Sequence, residues 1–169
     1  ISYGQSTPDP GLPGPYSVTK EIYDLGDLAF LSSAEFKGSV HYPNGLIGGP
    51  FPLIVILHGN HPTSYRIWDS ACGFHWPTVS GSKTIDNFDG YNYFAENLAS
   101  HGFIVISLSC NGTNVMDKMS LRVKLIQEHL DWWQNLNLYG GLPFGSKFVG
   151  KIDFSNIGLM GHSRGGEGV

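Results

Sequence analysis

The chain has 169 residues, of which 41% are hydrophobic and 13% aromatic, so it can build one domain with a sizeable core. That composition excludes wholesale disorder, and the formal net charge of −4 argues against nucleic-acid binding through a basic face. No apolar run reaches the ~18 residues that a membrane-spanning helix needs, so the sequence predicts no membrane span.

The beginning of the chain is predicted to be an extended arm, residues 1–15, because residues 6–15 read S-T-P-D-P-G-L-P-G-P. Two outer strands follow it. Residues 16–23 and 37–42 alternate apolar and polar side chains, which is typical of strands that are buried on one face only.

Three continuous apolar runs, residues 52–57, 103–108 and 157–160, are typical of strands buried on both faces. Two stretches between them have helical periodicity. The first has Phe94, Ala95, Leu98 and Ala99 and ends before Gly102; the second has Leu121, Leu125, Ile126, Leu130, Trp133 and Leu136, with Asp117 or Ser120 as candidate N-caps. This alternation predicts an α/β fold with a mostly parallel central sheet and helices on both faces.

One stretch, residues 60–87, shows no convincing helix or strand, although loops between strands and helices usually have about 2–6 residues. It is either a loop that serves a site or a loop that packs on its own aromatic side chains. Cys72 lies in it, and Cys110 follows the second apolar run. We predict a disulfide between them that pins the loop and indicates an oxidising compartment; the alternative is two buried free thiols.

The sequence that follows the third apolar run reads Gly161-His162-Ser163-Arg164-Gly165-Gly166. G-x-S-x-G directly after a strand predicts a nucleophile elbow, a sharp turn that exposes a serine hydroxyl in a strained conformation. The alternatives are a glycine-rich turn with an incidental serine and a phosphate-binding loop. The second lacks support, because the pattern G-x-x-x-x-G-K-[ST] is absent.

A second motif, His58-Gly59-Asn60-His61, follows the first apolar run. In such folds this turn supplies a backbone N–H to the oxyanion hole, next to the N–H of the residue after the nucleophile. We therefore predict Arg164 and Asn60 as the two donors, with His61 as the alternative to Asn60. His58 is predicted to hydrogen-bond the loop backbone.

These motifs together resemble the N-terminal half of a serine α/β-hydrolase, of the branch that holds dienelactone hydrolases, platelet-activating-factor acetylhydrolases and cutinase-like polyester hydrolases. The resemblance covers most of residues 14–169 and is carried by residues 14–18, 38–43, 57–59 and 161–166. Two departures are the long stretch 60–87 and Glu167, which stands where the polyester hydrolases tend to have a small residue.

The resemblance implies that residues 16–169 are the N-terminal part of one hydrolase domain that ends just after the elbow. In this fold the catalytic acid and then the histidine follow the serine along the chain, yet none of the seven histidines follows Ser163. The triad Asp and His are therefore expected beyond residue 169, in the same or a separate chain. The surroundings of residues 157–160 are expected to be open or covered by that remaining half.

The function that the resemblance implies is hydrolysis of small-molecule or polymeric carboxylic esters through an acyl-enzyme on Ser163. The alternative is a binding or assembly module that keeps the fold without catalysis. No metal site is predicted, because no His, Asp or Glu residues have ligand spacing, and no cofactor is expected. The chain begins with Ile1 rather than Met, so a leader was removed or the sequence starts inside a longer protein. The start at Ile1 and the predicted disulfide together lead us to expect a secreted or periplasmic protein.

Overall fold

A computed structural model describes residues 9–28, 34–68, 72–114 and 119–169. Its strands and helices are, in chain order, β1 (Val18–Leu28), β2 (Ala34–Pro43), β3 (Phe51–Leu57), β4 (Ser64–Tyr65), β5 (Cys72–Gly73), β6 (Lys83–Thr84), α1 (Asn92–Ser100), β7 (Ile104–Leu108), α2 (Met119–Tyr139) and β8 (Ile152–Gly161). The three apolar runs form β3, β7 and β8, as predicted.

The main sheet has five strands in the order β1-β2-β7-β3-β8. β3 pairs in parallel with β7 and with β8, whereas β2 pairs antiparallel with β1 and with β7. The α/β class is confirmed. Two of the four strand pairs are parallel and two are antiparallel, so the sheet is mixed. Residues 29–33, which join β1 to β2, are far fewer than the dozen or so that a parallel crossover needs.

Helices cover both faces of this sheet. Successive side chains of a strand point to opposite faces, and β3 shows the result clearly. Leu53, Val55 and Leu57 belong to the larger core cluster, which includes the buried apolar residues of α2. Ile54 and Ile56 belong to a smaller cluster with α1. The two helices therefore lie on opposite faces, as predicted.

Helix α1 ends where the sequence indicated, since Gly102 has a φ of +94°, a conformation that glycine adopts without strain. Helix α2 differs in its buried stripe, which consists of Arg122, Leu125, Ile126, His129, Trp133 and Leu136. Leu121 and Leu130 are only half-buried. Ser120 is not the N-cap, because the helix already begins at Met119, and Asp117 lies outside the described residues. Apolar periodicity does not reveal the two polar members of the stripe, Arg122 and His129.

Strand β8 forms one edge of the sheet, and its apolar side chains are open. Ile157, Leu159 and Met160 are 39–43% exposed, whereas every residue of β7 is buried. Within the described chain, no strand pairs with the outer edge of β8. The surroundings of residues 157–160 are thus open in this chain, and whether another polypeptide covers them stays a prediction.

Residues 60–87 contain a small sheet that the sequence did not reveal. Its two-residue strands are arranged in the order β5-β4-β6, and all pairs are antiparallel. The described part of the predicted arm, residues 9–15, has no helix or strand and contacts the end of α1, where the Gly14 backbone N–H donates to the Ser100 hydroxyl (2.7 Å).

Candidate active site

The predicted elbow lies at the carboxyl end of β8. The strand ends at Gly161, and a 3-10 turn begins at Ser163, which has a φ of +54° and is exposed to solvent. A positive φ costs a residue with a Cβ of the order of 1 kcal/mol or more, so this turn stores strain. The predicted conformation of Ser163 is confirmed.

The elbow glycines are required by close packing. A Cβ on Gly161 would lie 2.1 Å from the Gly165 carbonyl carbon, and a Cβ on Gly165 would lie 2.2 Å from the Leu57 carbonyl oxygen. Real Cβ contacts are essentially never under 3.0 Å. The turn that carries Ser163 is therefore packed backbone to backbone against the end of β3.

The turn after β3, residues 58–61, lies directly against Ser163. A Cβ on Gly59 would lie 3.0 Å from the Ser163 Cβ atom and 3.0 Å from the His162 carbonyl oxygen. In the described part of the chain, no backbone carbonyl accepts a hydrogen bond from the N–H of Asn60 or of Arg164. These are the two N–H groups that the sequence predicts as oxyanion donors, and no backbone acceptor among the described residues occupies them.

His58 is buried and has a structural role. Its Nδ1 lies 2.7 Å from the Gly59 carbonyl oxygen and donates to it, while its Nε2 accepts from the Cys110 backbone N–H at 2.7 Å. These two partners assign the neutral tautomer. Burial lowers the pKa of His58 to about 3. The prediction that His58 bonds the loop backbone is confirmed, and neither ring nitrogen is available as a base for Ser163.

A cleft of about 420 Å³ adjoins the elbow. It is lined by His61, Asn87, Gly90, Tyr91, Tyr93 and His162. The rings of His61 and His162 stack with their centroids 5.9 Å apart and an interplanar angle of 6°. His162 precedes Ser163 in the chain, so the cleft adjoins the turn that carries Ser163. The cleft has aromatic walls and suits a flat or apolar group.

The tyrosines of this cleft were missed by sequence reasoning, because they lie at the start of α1 rather than in the long stretch. Of the residues that the structure describes in the stretch 60–87, only His61 and Asn87 line the cleft. Trp68 and Phe74 are 72% and 52% exposed and lie outside it. Two aromatic residues at the start of a helix that follows a long loop, Tyr91 and Tyr93, were the available signal.

The predicted disulfide is not formed, because Cys110 is a free, buried thiol. Cys110 belongs to the larger core cluster, and its sulfur lies 3.7 Å from the Leu108 carbonyl oxygen. It is therefore enclosed in the core instead of facing the loop that carries Cys72. Burial raises the pKa of the Cys110 thiol to about 12.

A buried arginine was also missed. Arg122 in α2 donates to the His58 carbonyl oxygen (2.7 Å), which belongs to the turn that faces the nucleophile. The signal was its position, since it lies three and four residues before Leu125 and Ile126 on one face of the helix. Residues three and four positions apart share one face of a helix, so Arg122 lies on the same buried stripe as Leu125 and Ile126.

Among the described residues, no histidine makes a hydrogen bond with the Ser163 hydroxyl; the side-chain bonds of His58, His101 and His129 go to other partners. The same part of the chain contains no group of three or more His, Cys, Asp or Glu residues that could hold a metal ion. None of its helices has the length and apolar character needed to cross a bilayer.

Comparison with known proteins agrees with this geometry. A family model described as PET hydrolase-like matches residues 84–169. The chain is 27% identical over 158 residues to a bis(hydroxyethyl) terephthalate hydrolase of Streptomyces coelicolor, which is 94% of this chain and 38% of that protein. It is 34% identical over 77 residues to cutinase 2 of Thermobifida cellulosilytica and to cutinase cut1 of Thermobifida fusca, covering 46% of this chain and 26% and 21% of those proteins. The chain thus spans less than two-fifths of the length of each of these relatives.

Proposed function

The chain belongs to the PET hydrolase-like family, and from this premise we propose that the protein is a serine hydrolase that cleaves carboxylic esters through an acyl-enzyme. The observation that carries the proposal is the exposed Ser163 with a φ of +54°, packed against the turn at Gly59. The proposed substrates are small-molecule or polymeric esters, which is consistent with the names of the matched hydrolases.

In the proposed reaction, the Ser163 Oγ atom attacks the ester carbonyl carbon and loses its proton to a histidine. The carbonyl oxygen becomes an oxyanion, which the N–H groups of Arg164 and Asn60 stabilise. When the bond to the alkoxy oxygen breaks, the histidine gives its proton to the leaving alcohol. Water then attacks the acyl-enzyme by the same route, releases the acid and restores the serine.

The catalytic histidine and its acidic partner are proposed to come from polypeptide beyond residue 169. Two observations support this assignment. His58 has both ring nitrogens in structural hydrogen bonds, and the described residues place no histidine in hydrogen-bond contact with the Ser163 hydroxyl. The apolar side chains exposed on β8 offer a surface on which the rest of such a domain could pack.

The cleft beside the elbow supports a substrate with an aromatic or otherwise flat group. Its walls include Tyr91, Tyr93 and the stacked rings of His61 and His162. A polymeric ester is too large to enter a cell, so a secreted or periplasmic location fits such a substrate, and we propose it on this ground alone.

The test uses the full-length protein, a soluble p-nitrophenyl ester and a fluorophosphonate probe that labels activated serines. Ser163→Ala is expected to lower ester hydrolysis to the background rate, a loss on the order of 10⁴-fold or more, and to abolish labelling. Ser155→Ala is the matched control, because Ser155 is an exposed serine of β8 that bonds only to nearby polar side chains. A wild-type protein that is folded but neither hydrolyses esters nor reacts with the probe would establish the non-catalytic alternative.

A further inference from the structure

The turn of residues 58–61 is held by its carbonyl groups. The His58 carbonyl oxygen accepts from Arg122 Nη1, the Gly59 carbonyl oxygen from His58 Nδ1, and the His61 carbonyl oxygen from Asn114 Nδ2, each at 2.7 Å. Arg122 and the His58 ring are fully buried, and Asn114 is almost so. Three of the four carbonyl groups are therefore fixed by side chains that solvent does not reach.

This arrangement determines where the Asn60 N–H points. In a planar trans peptide the N–H is antiparallel to the preceding C=O, so the Asn60 N–H points away from the Gly59 carbonyl oxygen. The His58 ring holds that oxygen. The peptide plane can still rotate unless the residues on both sides are fixed, and the anchors at the His58 and His61 carbonyls supply that restraint.

Both of these flanking anchors depend on Arg122. Its Nη1 holds the His58 carbonyl, and its Nη2 donates to the Asn114 Oδ1 atom (2.9 Å), whose amide holds the His61 carbonyl. Its Nε donates to the Thr113 carbonyl oxygen (3.3 Å), which fixes the guanidinium plane. A planar guanidinium with donors in a fixed fork is suited to holding several acceptors in one geometry.

We propose that Arg122 is a positioning residue for ester hydrolysis, which holds the turn of residues 58–61 so that the Asn60 N–H faces the oxyanion. The inference rests on the proposed function. The three hydrogen-bond acceptors of Arg122 in the described residues are neutral oxygens, so no hydrogen-bonded carboxylate offsets the cost of burying its charge. Such a residue is better explained by the geometry that it imposes than by the stability that it adds.

The experiment compares Arg122→Met and Arg122→Lys with Tyr23→Phe in the full-length protein. Tyr23 is the matched control because its hydroxyl makes a buried hydrogen bond to His129 of the same helix (3.0 Å) without contact to the turn. Arg122→Met is expected to lower kcat about 10- to 100-fold on a soluble ester, with KM changed less than about threefold. Arg122→Lys, which keeps one donor group, is expected to recover part of kcat, and Tyr23→Phe to stay within about twofold of wild type.

A boronic acid that binds the serine as a transition-state analogue gives a second readout. Its affinity is expected to fall in parallel with kcat in the Arg122 variants, because both depend on the oxyanion donors. The proposal is overturned if kcat is unchanged in a folded Arg122→Met protein, or if Tyr23→Phe loses as much kcat at an equal loss of thermal stability. If Arg122→Met does not fold, Asn114→Ala, which removes the anchor at the His61 carbonyl, replaces it with the same expectations.

Amide hydrogen exchange separates this proposal from the proposed function. Exchange in residues 58–61 is expected to be faster in the Arg122 variants than in Tyr23→Phe, whether or not the protein hydrolyses esters. If wild type has no activity and does not react with the probe, the proposed function fails while the exchange data still test the restraint on the turn. Equal exchange in all the variants overturns the positioning role.

Discussion

The contact between Gly59 and the elbow predicts the effect of a single methyl group. In Gly59→Ala the new Cβ would lie 3.0 Å from the His162 carbonyl oxygen, 3.0 Å from the Ser163 Cβ atom and 3.2 Å from the His162 Nδ1 atom. Carbon atoms pack best at about 3.5–4.0 Å, so the turn and the nucleophile must separate by about 0.5 Å. Because a misplacement of about 1 Å can cost roughly 100-fold in rate, we expect kcat to fall about tenfold.

The assay is steady-state hydrolysis of a soluble ester by the full-length protein, with thermal unfolding measured on the same samples. Gly158→Ala is the matched control, since its Cβ would lie 3.6 Å from the nearest atom, Ile54 Cγ1, an ordinary contact. We expect the control to keep kcat within about twofold of wild type. The overpacked variant is expected to lose about 1–3 kcal/mol of stability and still be folded at 25 °C.

The reasoning is refuted if Gly59→Ala keeps the wild-type kcat, because the turn would then tolerate displacement from Ser163 without consequence. Equal losses of kcat in the two variants would also refute it. In that case the cause would be glycine replacement in general and not the short contact at Gly59.

Two further predictions follow from buried groups. Burial lowers the pKa of His41 to about 4 and those of His58 and His129 to about 3, so between pH 6.5 and these values the unfolded chain binds more protons than the folded chain. Stability is therefore complete above pH 6.5 and falls with pH, by about 1 kcal/mol per histidine between pH 6.5 and 5.5; urea unfolding measures this, and equal stability at the two pH values would contradict it. The Cys110 thiol, with its pKa raised to about 12, is expected to react with a thiol reagent at pH 8 only as fast as the protein unfolds, so modification of the native protein at the rate of a free thiol would disprove this.

The fold class could be predicted because the central strands β3 and β7 are covered on both faces and have continuous apolar sequences. A run such as residues 103–108 has few alternatives to a central strand. The sequence did not show which neighbouring strands pair parallel and which antiparallel. The alternation in residues 37–42 predicts a strand with one buried face, and this is wrong, because nine of the ten residues of β2 are buried. The pattern is also the same for a parallel and an antiparallel neighbour, so it does not show that the sheet is mixed.

The small sheet of β4, β5 and β6 was missed for another reason. Two-residue strands are too short to show any periodicity, and this sheet is built from backbone hydrogen bonds. The Thr63 hydroxyl reinforces it by donating to the carbonyl oxygens of Gly73 and His75. Such contacts join residues about ten positions apart and leave no pattern in the residue types.

The elbow could be predicted residue by residue, because Gly161, Ser163 and Gly165 are dictated by local backbone geometry. The side-chain contact that holds the turn of residues 58–61, from Arg122, could not be predicted from the sequence. Arg122 is 64 positions from His58 in the sequence, and a charged helix residue is usually assigned to the surface. The disulfide was wrong because a strand assignment alone does not say whether the Cys110 side chain faces the core or the loop.

Strand β8 pairs with β3 across a long span of sequence, with Gly161 opposite Leu57. Contacts between residues about a hundred positions apart form late in folding, since the entropy of closing so large a loop must first be overcome by other contacts. The serine and the turn that faces it meet only through this pairing. A nascent or misfolded chain therefore carries the G-x-S-x-G residues without the strained turn, and the exposed conformation of Ser163 exists only once the sheet around β3 has formed.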